Sequence, residues 1–313
     1  MATPMIGIVI LNYNDWENAE KCIRSIVGTA SPLTYKIYLV DNASADRMPA
    51  SVQSMADQGV IAFISSHTNK GYSAGNNHGI RRALAEGCTE VMLVNPDVSF
   101  KPDALSILAG FLRNNAGVGI VGPKVLLDTG APQEVLMGVS TGLKERYMYL
   151  LRKTPLAVFV RGFLNRFMAK GMDFHQPFQV HAVSGCCFMM SRYCAERVTP
   201  LDEAMFLYHE ELVIGLRTER IGLKTMYIPM AEVSHGFGKA TAKVRPFADT
   251  CMVESEIYYF RRYYDANRFL LAPLYIIRSC LFVLRLEKDR KSIGHVGRFF
   301  SKTLSAYFSK YAR

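Results

Sequence analysis

Short apolar runs alternate with amphipathic segments along the first half of the chain. The apolar runs predict strands at Ile6–Leu11, Tyr35–Val40, Val60–Ile64, Val91–Val94 and Gly119–Leu127. The amphipathic segments predict a helix that begins after Asp15 and ends at Gly28, and further helices near Ala50–Asp57, Gly75–Glu86 and Pro102–Arg113. Alternation of this kind is typical of a parallel sheet covered by helices. The pattern therefore predicts an α/β fold with a nucleotide-binding type of first half.

Two of the predicted strands end in clusters of Asp and Asn. Asp41-Asn42-Ala43-Ser44 follows Tyr35–Val40, and Asn95-Pro96-Asp97 follows Val91–Val94. Ligands of open α/β sheets bind outside the carboxyl ends of the strands, where a carboxylate can hold a divalent ion that in turn holds a diphosphate. Asp and Asn also favour turns for local reasons, so either cluster alone is ambiguous. Together they favour a ligand site with Asp97 as a metal position.

A polar loop rich in glycine, Asn69–Asn77, precedes the helix predicted at Gly75–Glu86. Its backbone amides and the helix N-terminus could hold an anion or the edge of a nucleobase. The loop matches neither the dinucleotide-binding GxGxxG pattern in its strand context nor the P-loop pattern. A nucleotidyltransferase would also need a basic triphosphate-binding loop near the N-terminus, and the sequence has none there.

Composition favours a globular protein of the cytosol. The chain has 313 residues, half of them hydrophobic, which is ample for a core. The first apolar run lacks a basic flank and reads as a strand rather than a signal peptide. Seven cysteines without a CxxC pair argue against a disulfide framework and a structural zinc site, so we expect reduced and mostly buried thiols.

The net charge of +10 is concentrated in two segments. Residues 141–172 contain 7 Lys and Arg against 1 acid, and residues 261–313 contain 12 against 3, whereas the remainder is mildly acidic. Both segments are also rich in aliphatic and aromatic residues, a combination typical of a membrane surface. The longest uncharged run, Phe269–Ile277, is too short for a transmembrane helix. An interfacial helix fits better than packing on the protein body or an oligomer contact, and a nucleic-acid surface fits least.

Five short sequence motifs occur in the order that is typical of one protein family. They are Val9–Asn14, Val40–Ser44, Asn69–Asn77, Asn95–Val98 and the later Phe206-Leu207-Tyr208-His209-Glu210-Glu211. Together they resemble glycosyltransferase family 2, particularly its rhamnosyltransferase-like members. The resemblance implies a GT-A fold, a nucleotide-sugar donor, a divalent metal such as Mg²⁺ or Mn²⁺, and inversion at the anomeric carbon.

By position, the resemblance also assigns roles to individual residues. The donor-binding set is Asn12, Tyr13, Asp41, Asn42, Ser44, Asn69, Gly71, Asn76 and Asn95. Asp97 takes the place of the last Asp of the DxD element, and His235 resembles the downstream ligand of metal or phosphate. Asn95 replaces the first Asp, so one negative charge is missing and metal binding would depend on Asp97 and a further ligand.

The Glu210-Glu211 pair is similar to the Glu-Asp pair of the family and opens an amphipathic segment that reaches Arg220. Glu211 occupies the position of the catalytic base that an inverting transfer requires, and Glu210 remains an alternative. Val213 stands where relatives often have a second acid. The helix dipole alone could also explain two acids at a helix start.

On the acceptor side, Val183–Met190 looks like a strand of the family, with Ser184 and Gly185 at its small-residue start. Alternation along that strand would place the Cys186 and Cys187 side chains on opposite faces as packing residues.

The sequence thus predicts an inverting glycosyltransferase that extends a cell-surface polysaccharide such as an O-antigen on a lipid carrier, as a peripheral protein on the inner face of the cytoplasmic membrane. Residues 1–127 would bind the donor, 128–260 would bind the acceptor and catalyse transfer, and 261–313 would associate with the membrane. Rhamnose is the first sugar to consider, UDP-hexoses are an alternative, and an impaired homologue that binds sugar or acts as a scaffold is another. A homo-oligomer is left open.

Overall fold

The computed structural model describes residues 3–28, 33–134, 138–139, 141–236, 245–286 and 290–309. The chain divides into two compact units. The sheet unit comprises residues 1–140, 165–203 and 211–237, and the helical unit comprises residues 141–164, 204–210 and 238–313.

Nine strands of the described chain form the mixed sheet of the first unit. In chain order they are β1 Met5–Asn12, β2 Thr34–Asp41, β3 Ile61–Ser65, β4 Glu90–Val94, β5 Val98–Phe100, β6 Val118–Leu127, β7 Phe178–Val180, β8 Cys187–Ser191 and β9 Lys224–His235. The sheet order is β3-β2-β1-β4-β8-β6-β9-β5, and β7 also pairs with β9. Strands β1 to β4 are mutually parallel, whereas β8 is antiparallel to β4 and β6. The predicted α/β architecture is confirmed, and the strand bounds differ from the predictions by only a few residues.

The helices described in the structure are, in chain order, α1 Trp16–Val27, α2 Ala50–Asp57, α3 Tyr72–Ala85, α4 Ala104–Asn114, α5 Leu143–Leu150, α6 Arg161–Phe167, α7 Arg192–Val198, α8 Glu210–Arg220, α9 Arg245–Tyr264, α10 Arg268–Leu286 and α11 Val296–Phe308. Short 3₁₀ turns cover Leu151–Lys153, Pro155–Val160 and Arg290–His295. None of the helices in the described ranges is both long and apolar enough to cross a membrane.

The core of the sheet unit lies on both faces of the sheet. Along β1, Ile8 and Ile10 join one buried cluster and Val9 joins the other, as the alternation of side chains on a strand requires. Strand β4 is buried along its whole length, which is typical of a strand covered on two sides. The carboxyl ends of β1, β2 and β4 therefore emerge from a rigid base.

Glycines let α3 approach the sheet closely. A Cβ atom on Gly79 would lie 2.3 Å from Val9 Cγ1, and one on Gly75 would lie 2.4 Å from Leu11 Cδ1. Helix α3 begins at Tyr72, three residues before the predicted start, because Gly71 has a φ of 94° that ends the preceding loop. Part of the predicted glycine-rich loop is thus the first turn of the helix.

Candidate functional site

Polar side chains at the ends of β1 and β2 hold one another in place. The two strands are parallel and in register, so Asn12 lies beside Asp41. Asn12 Nδ2 donates to Asp41 Oδ1 and to Ser44 Oγ, each at 3.3 Å, and Asn14 N donates to Ser44 Oγ at 2.8 Å. Asn12 and Asp41 are buried, whereas the Tyr13 side chain is half exposed beside them. The structure therefore brings the predicted residues of the first two strand ends together.

The second part of the predicted donor set surrounds the start of α3. Asn42 Nδ2 donates to Asn69 Oδ1 at 2.9 Å and to the Gly71 carbonyl at 3.2 Å. Asn69 Oδ1 also accepts from Gly71 N at 2.9 Å, which fixes the turn before the helix. Asn42, Asn69 and Gly71 thus form one hydrogen-bonded group beside the Asn12 and Asp41 pair, because Asn42 directly follows β2.

Three buried polar atoms near these groups have no hydrogen-bond partner among the described residues. They are Asn12 Oδ1, Ser73 Oγ and Asn76 Oδ1. Asn76 Nδ2 donates to the Tyr72 carbonyl at 3.0 Å, whereas Asn76 Oδ1 has no hydrogen-bond partner among the described residues. Buried polar groups are normally hydrogen-bonded, so the unpaired polar atoms at the end of β1 and the start of α3 point to a polar ligand or to ordered water.

Asp97 and His235 meet because β5 pairs with β9. Val98 lies opposite His235 in that antiparallel pair, and Asp97 Oδ1 lies 3.1 Å from His235 Nε2. The imidazole is buried, which disfavours its charged form, but hydrogen bonds and the Asp97 carboxylate favour that form and raise the pKa of His235 to about 10. In the absence of a metal, His235 is therefore a protonated partner of Asp97 at neutral pH.

The same pair fits a divalent cation. Carboxylate oxygen and imidazole nitrogen are both suitable ligands, and Asn95 lies two residues before Asp97. In the described part of the chain no group of three or more His, Cys, Asp or Glu side chains is placed to hold a metal. The remaining coordination positions would have to come from Asn95, the ligand or water.

A single turn connects the predicted acceptor-side residues with both groups. Asn95 N donates to the Cys186 carbonyl at 2.8 Å, and the Tyr72 hydroxyl donates to the Gly185 carbonyl at 2.6 Å. Ser184 and Gly185 are partly exposed in this turn, which precedes β8 rather than belonging to a strand.

The two adjacent cysteines are packing residues, as predicted, but the predicted strand alternation does not apply to them. Strand β8 begins at Cys187, so Cys186 lies in the turn and strand alternation does not separate the two side chains. Both are buried in the same hydrophobic cluster, and Cys186 lies near enough to the His235 imidazole to help raise the pKa of His235. Six of the seven cysteines are buried and all seven are free thiols, as predicted from their spacing, and only Cys280 is exposed.

Helix α8 begins at Glu210, as the sequence predicts. Glu210 is buried and Glu211 is partly exposed, so Glu211 is the more accessible of the two carboxylates. Val213, at the position of a second acid in relatives, is buried in the core. Gly215 allows the helix to lie against residue 181, because a Cβ atom there would be 2.2 Å from the His181 carbonyl oxygen.

The segment that leads into Glu210 is fixed by α9 within the helical unit. Tyr208 and His209 both have positive φ, 73° and 70°, a conformation that non-glycine residues rarely adopt. Ser255 Oγ donates to the Leu207 carbonyl at 2.8 Å, and His209 Nε2 lies 3.9 Å from Glu256 Oε1. Burial lowers the pKa of His209 to about 3, so the imidazole is neutral. The unusual backbone is thus stabilised by contacts that the sequence motif does not reveal.

Glu256 also forms ion pairs with one arginine from each of the two basic segments. Its carboxylate accepts from Arg278 Nε at 2.7 Å and from Arg278 Nη2 at 2.9 Å, and it forms a further ion pair with Arg146. Burial of Glu256 would raise its pKa, but the two guanidinium groups lower it to about 2. A more exposed pair joins Arg285 Nη1 to Asp249 Oδ1 at 2.6 Å. Part of the positive charge of both segments is therefore committed to acids of the same unit.

Sequence reasoning missed several residues that hold the site in place: Asn14, Tyr72, Asn77, Glu203, Ser255 and Glu256. Asn77 donates from Nδ2 to the Leu201 carbonyl at 3.0 Å and to Glu203 Oε1 at 2.8 Å, and so ties α3 to a distant segment. The one signal in the sequence is that Asn77 continues the polar loop into a helix, where Asn is unfavourable unless its side chain is used.

Comparison with known proteins gives matches in sequence. The sequence model of the protein family "Glycosyl transferase family 2" matches residues 7–199 of this chain. The chain is 26% identical over 231 residues to the low-salt glycan biosynthesis hexosyltransferase Agl10 of Haloferax volcanii, covering 74% of this chain and 66% of that protein, just under two thirds. It is 25% identical over 256 residues to the N-acetylglucosaminyl-diphospho-decaprenol L-rhamnosyltransferase of Mycobacterium tuberculosis, covering 77% of this chain and 79% of that protein.

Solved structures share the fold. The mannosyltransferase PcManGT of Pyrobaculum calidifontis, solved with GDP-Man and Mn²⁺, superposes with a TM-score of 0.57 at 12% identity and covers 99% of this chain and 77% of that one. GalNAc-T7, solved with UDP, GalNAc and Mn²⁺, gives a TM-score of 0.54 at 13% identity and covers 74% of this chain and 43% of that one. The predicted GT-A fold is confirmed.

Proposed function

We propose that this chain, which belongs to glycosyl transferase family 2, transfers a sugar with inversion from a nucleotide-diphosphate donor to a lipid-linked saccharide. The observation that carries the proposal is the convergence of the donor-set residues with the Asp97 and His235 pair at the carboxyl ends of the strands. Ligands of open α/β sheets bind at that edge.

The donor nucleotide would occupy the strand ends. Asn12, Tyr13 and Asp41 would contact the base and ribose, and Asn42, Ser44, Asn69, Gly71 and Asn76 would complete the pocket. The buried oxygens of Asn12 and Asn76 that lack protein partners support this assignment, since a nucleotide offers donors to satisfy them. The half-exposed ring of Tyr13 is available to pack on a base.

Asp97 and His235, with Asn95 nearby, would hold a divalent metal such as Mg²⁺ or Mn²⁺. When bound, such an ion neutralises the donor diphosphate and so stabilises the leaving group. Asn95 contributes a carbonyl oxygen but no charge, which leaves Asp97 as the anionic ligand. His235 must lose its proton to bind metal, so protons and metal compete at this site.

Glu211 would act as the general base. The acceptor hydroxyl oxygen attacks the anomeric carbon on the face opposite the nucleotide while Glu211 takes the hydroxyl proton. A new carbon–oxygen bond forms as the bond from the anomeric carbon to the diphosphate oxygen breaks, and that electron pair leaves with the nucleoside diphosphate. The greater accessibility of Glu211 favours it over Glu210, which is buried beside the strained segment.

A lipid carrier and a membrane surface are proposed from the helical unit. Helix α10 exposes seven large apolar side chains, and the basic insert exposes three: Phe269, Leu270, Ile276, Ile277, Leu281, Val283, Leu284, Leu156, Val158 and Phe159. Phe269 is 90% exposed and Phe159 is 83% exposed, which is unusual for phenylalanine in water. We therefore propose that residues 261–313, together with the insert, associate with the inner face of the cytoplasmic membrane. Residues 1–127 would serve the donor and 128–260 the acceptor and catalysis.

The donor sugar is proposed from the relatives. One relative is named as a rhamnosyltransferase and another as a hexosyltransferase, so rhamnose from its deoxythymidine-diphosphate donor is the first candidate and UDP-hexoses are the second. Because Asn95 lacks the charge of the Asp in the family pattern, the alternative to test is that this chain binds a sugar nucleotide but does not transfer the sugar. In that case donor hydrolysis and transfer would both be absent.

A transfer assay with variants of the glutamate pair tests the proposal. Glu211→Gln should lower the rate by about 10²- to 10⁴-fold, the usual contribution of a general base, and should leave donor binding intact. Glu211→Asp restores the carboxylate of the family pattern and should keep most of the activity, and Glu210→Gln is the matched control. Transfer by Glu211→Gln at the wild-type rate would contradict the assignment.

A further inference from the structure

A cavity of about 380 Å³ lies entirely within the helical unit. It is formed by the segment before Glu210, by α9, by the end of the last 3₁₀ turn and by α11. Its lining includes Phe206, Phe247, Glu254, Tyr258, Arg298 and Lys302. The residues assigned above to the donor, the metal and the base are all absent from this lining.

Three basic residue types contribute to the lining of the cavity. His295, Arg298 and Lys302 come from a single stretch of chain, and Glu254 is the one acid among the lining residues. Elsewhere in this unit Arg146, Arg278 and Arg285 are held by acids. In the ranges that the structure describes, neither Arg298 nor Lys302 has a hydrogen bond or an ion pair. Lys302 acts electrostatically on Glu254 without forming an ion pair, so both cations can still bind an anionic ligand.

The lining also includes three aromatic rings, referred to as the aromatic wall. Phe206 and Phe247 pack edge to face with ring centroids 5.3 Å apart, and Tyr258 adds a third ring to the lining. Pockets for small molecules typically combine apolar and aromatic walls with a few convergent polar groups. Arginine and lysine are the side chains that most often bind phosphate, arginine through its fork of donors and lysine as a point charge.

From this lining we propose that the cavity binds the saccharide diphosphate end of the acceptor, the phosphates on Arg298 and Lys302 and the sugar against the aromatic wall. The inference rests on the proposed function, and the name of the mycobacterial relative shows that an acceptor of this chemistry exists in the family. Glu254 would serve as a partner for a sugar hydroxyl. Burial raises the pKa of Glu254 and nearby Lys302 opposes that shift.

The chain itself connects the cavity to Glu210. Phe206 in the wall precedes Glu210 by four residues in the same unit, which limits the distance between their Cα atoms to about 14 Å. That reach is on the scale of a sugar ring joined to a diphosphate. Tyr208 and His209, with their left-handed backbone, determine how the chain turns between the two.

Calorimetric titration of the full chain with a short-chain isoprenyl diphospho-N-acetylglucosamine, without donor, tests the inference directly. The variant Arg298→Ala with Lys302→Ala should bind at least about tenfold more weakly than wild type, the loss expected for hydrogen bonds to a charged group. The control is Arg262→Ala, an exposed arginine of α9 outside the lining, which should bind like wild type. Equal binding by all three proteins would overturn the inference.

Two further measurements test the cavity assignment and the proposed transferase function independently of each other. In the transfer assay the double variant should raise the KM for the acceptor at least about tenfold and leave the KM for the nucleotide sugar unchanged. An unchanged acceptor KM in an active double variant would overturn the cavity assignment and leave the transferase intact. Saccharide diphosphate binding that depends on Arg298 and Lys302, in a chain that transfers nothing, would support the cavity and refute the proposed function.

Vesicles of anionic phospholipid distinguish the two sources of phosphate. We expect the double variant to bind such vesicles about as well as wild type, because the exposed apolar face of α10 is unchanged. If the two cations are needed for vesicles while the soluble saccharide diphosphate does not bind, the cations serve lipid headgroups and the inference is overturned.

Discussion

The sheet unit and the helical unit hold their polar residues in different ways. At the strand ends the donors of these hydrogen bonds are neutral side-chain amides, and their partners lie within 30 positions along the chain: Asn12 and Asp41 are 29 positions apart, and Asn42 and Asn69 are 27 apart. In the helical unit the central partners are charged, and Arg146 reaches Glu256 across 110 positions. The residues of the strand-end site could be predicted because each lies in a short sequence motif. The arrangement of the helical unit could not, because it depends on long-range ion pairs between particular arginines and acids.

Removal of the buried acid of the helical unit should have the largest effect on stability. Glu256→Ala leaves Arg146 and Arg278 largely buried without their anionic partner, and we expect a loss of about 3–5 kcal/mol in the free energy of unfolding. Urea denaturation followed by circular dichroism measures the loss.

The matched control is the more exposed pair of the same unit. Asp249→Ala removes the partner of Arg285, whose side chain is 51% exposed, and should cost about 0–1 kcal/mol. Equal losses in the two variants would show that the buried cluster does not organise the helical unit.

A smaller effect is expected from packing in the sheet unit. Gly79→Ala places a Cβ atom 2.3 Å from Val9 Cγ1 and 3.2 Å from Val40 Cγ2, so the free energy of unfolding should fall by about 1–3 kcal/mol. Gly110→Ala in α4 meets no atom within 4 Å and should be neutral or stabilising by up to about 1 kcal/mol. Opposite signs in the same denaturation experiment would sharpen the contrast, and a stabilising Gly79→Ala would refute the close approach of α3.

The smallest change in the free energy of unfolding, counted for each pH unit, is expected when the pH is varied. It arises from the Asp97 and His235 pair, which is the charged part of the strand-end site. The pKa of His235 is raised to about 10, so the pair should stabilise the metal-free chain fully below about pH 6.5, lose that contribution as pH rises, and contribute nothing above about pH 10. The difference in unfolding free energy between wild type and His235→Gln, measured in EDTA, should shrink by at most about 1.4 kcal/mol for each pH unit in that window. A difference that grows with pH would contradict the pairing.

Prediction from the sequence succeeded where function depends on neighbours along the chain. The strands that end at Asn12, Asp41 and Val94 were predicted within one or two residues because each is a short apolar run that stops at a polar cluster. The start of α8 at Glu210 was predicted in the same way. The meeting of Asp97 with His235 was suggested by family resemblance and depends on the pairing of β5 with β9, which no local pattern indicates.

Other contacts could not be predicted, because they join residues that only the fold brings together. Tyr72 reaches Gly185 over 113 positions, and Glu256 collects one arginine from each basic segment. Net charge correctly marked both segments as unusual but could not divide their cations between structural partners and the cavity. Cys186 was misplaced because β8 begins at Cys187, four residues after the start of the strand predicted at Val183–Met190.

Donor binding tests the central claim most directly. The melting temperature of the wild-type chain should rise with a nucleoside-diphosphate sugar in the presence of Mn²⁺, since a ligand at a hundred times its Kd stabilises by about 2.7 kcal/mol. The rise should be much smaller in EDTA and in Asp97→Asn, whereas Glu211→Gln should retain it. Failure of every nucleotide sugar to raise the wild-type melting temperature with Mn²⁺, or an undiminished rise in Asp97→Asn, would contradict the account.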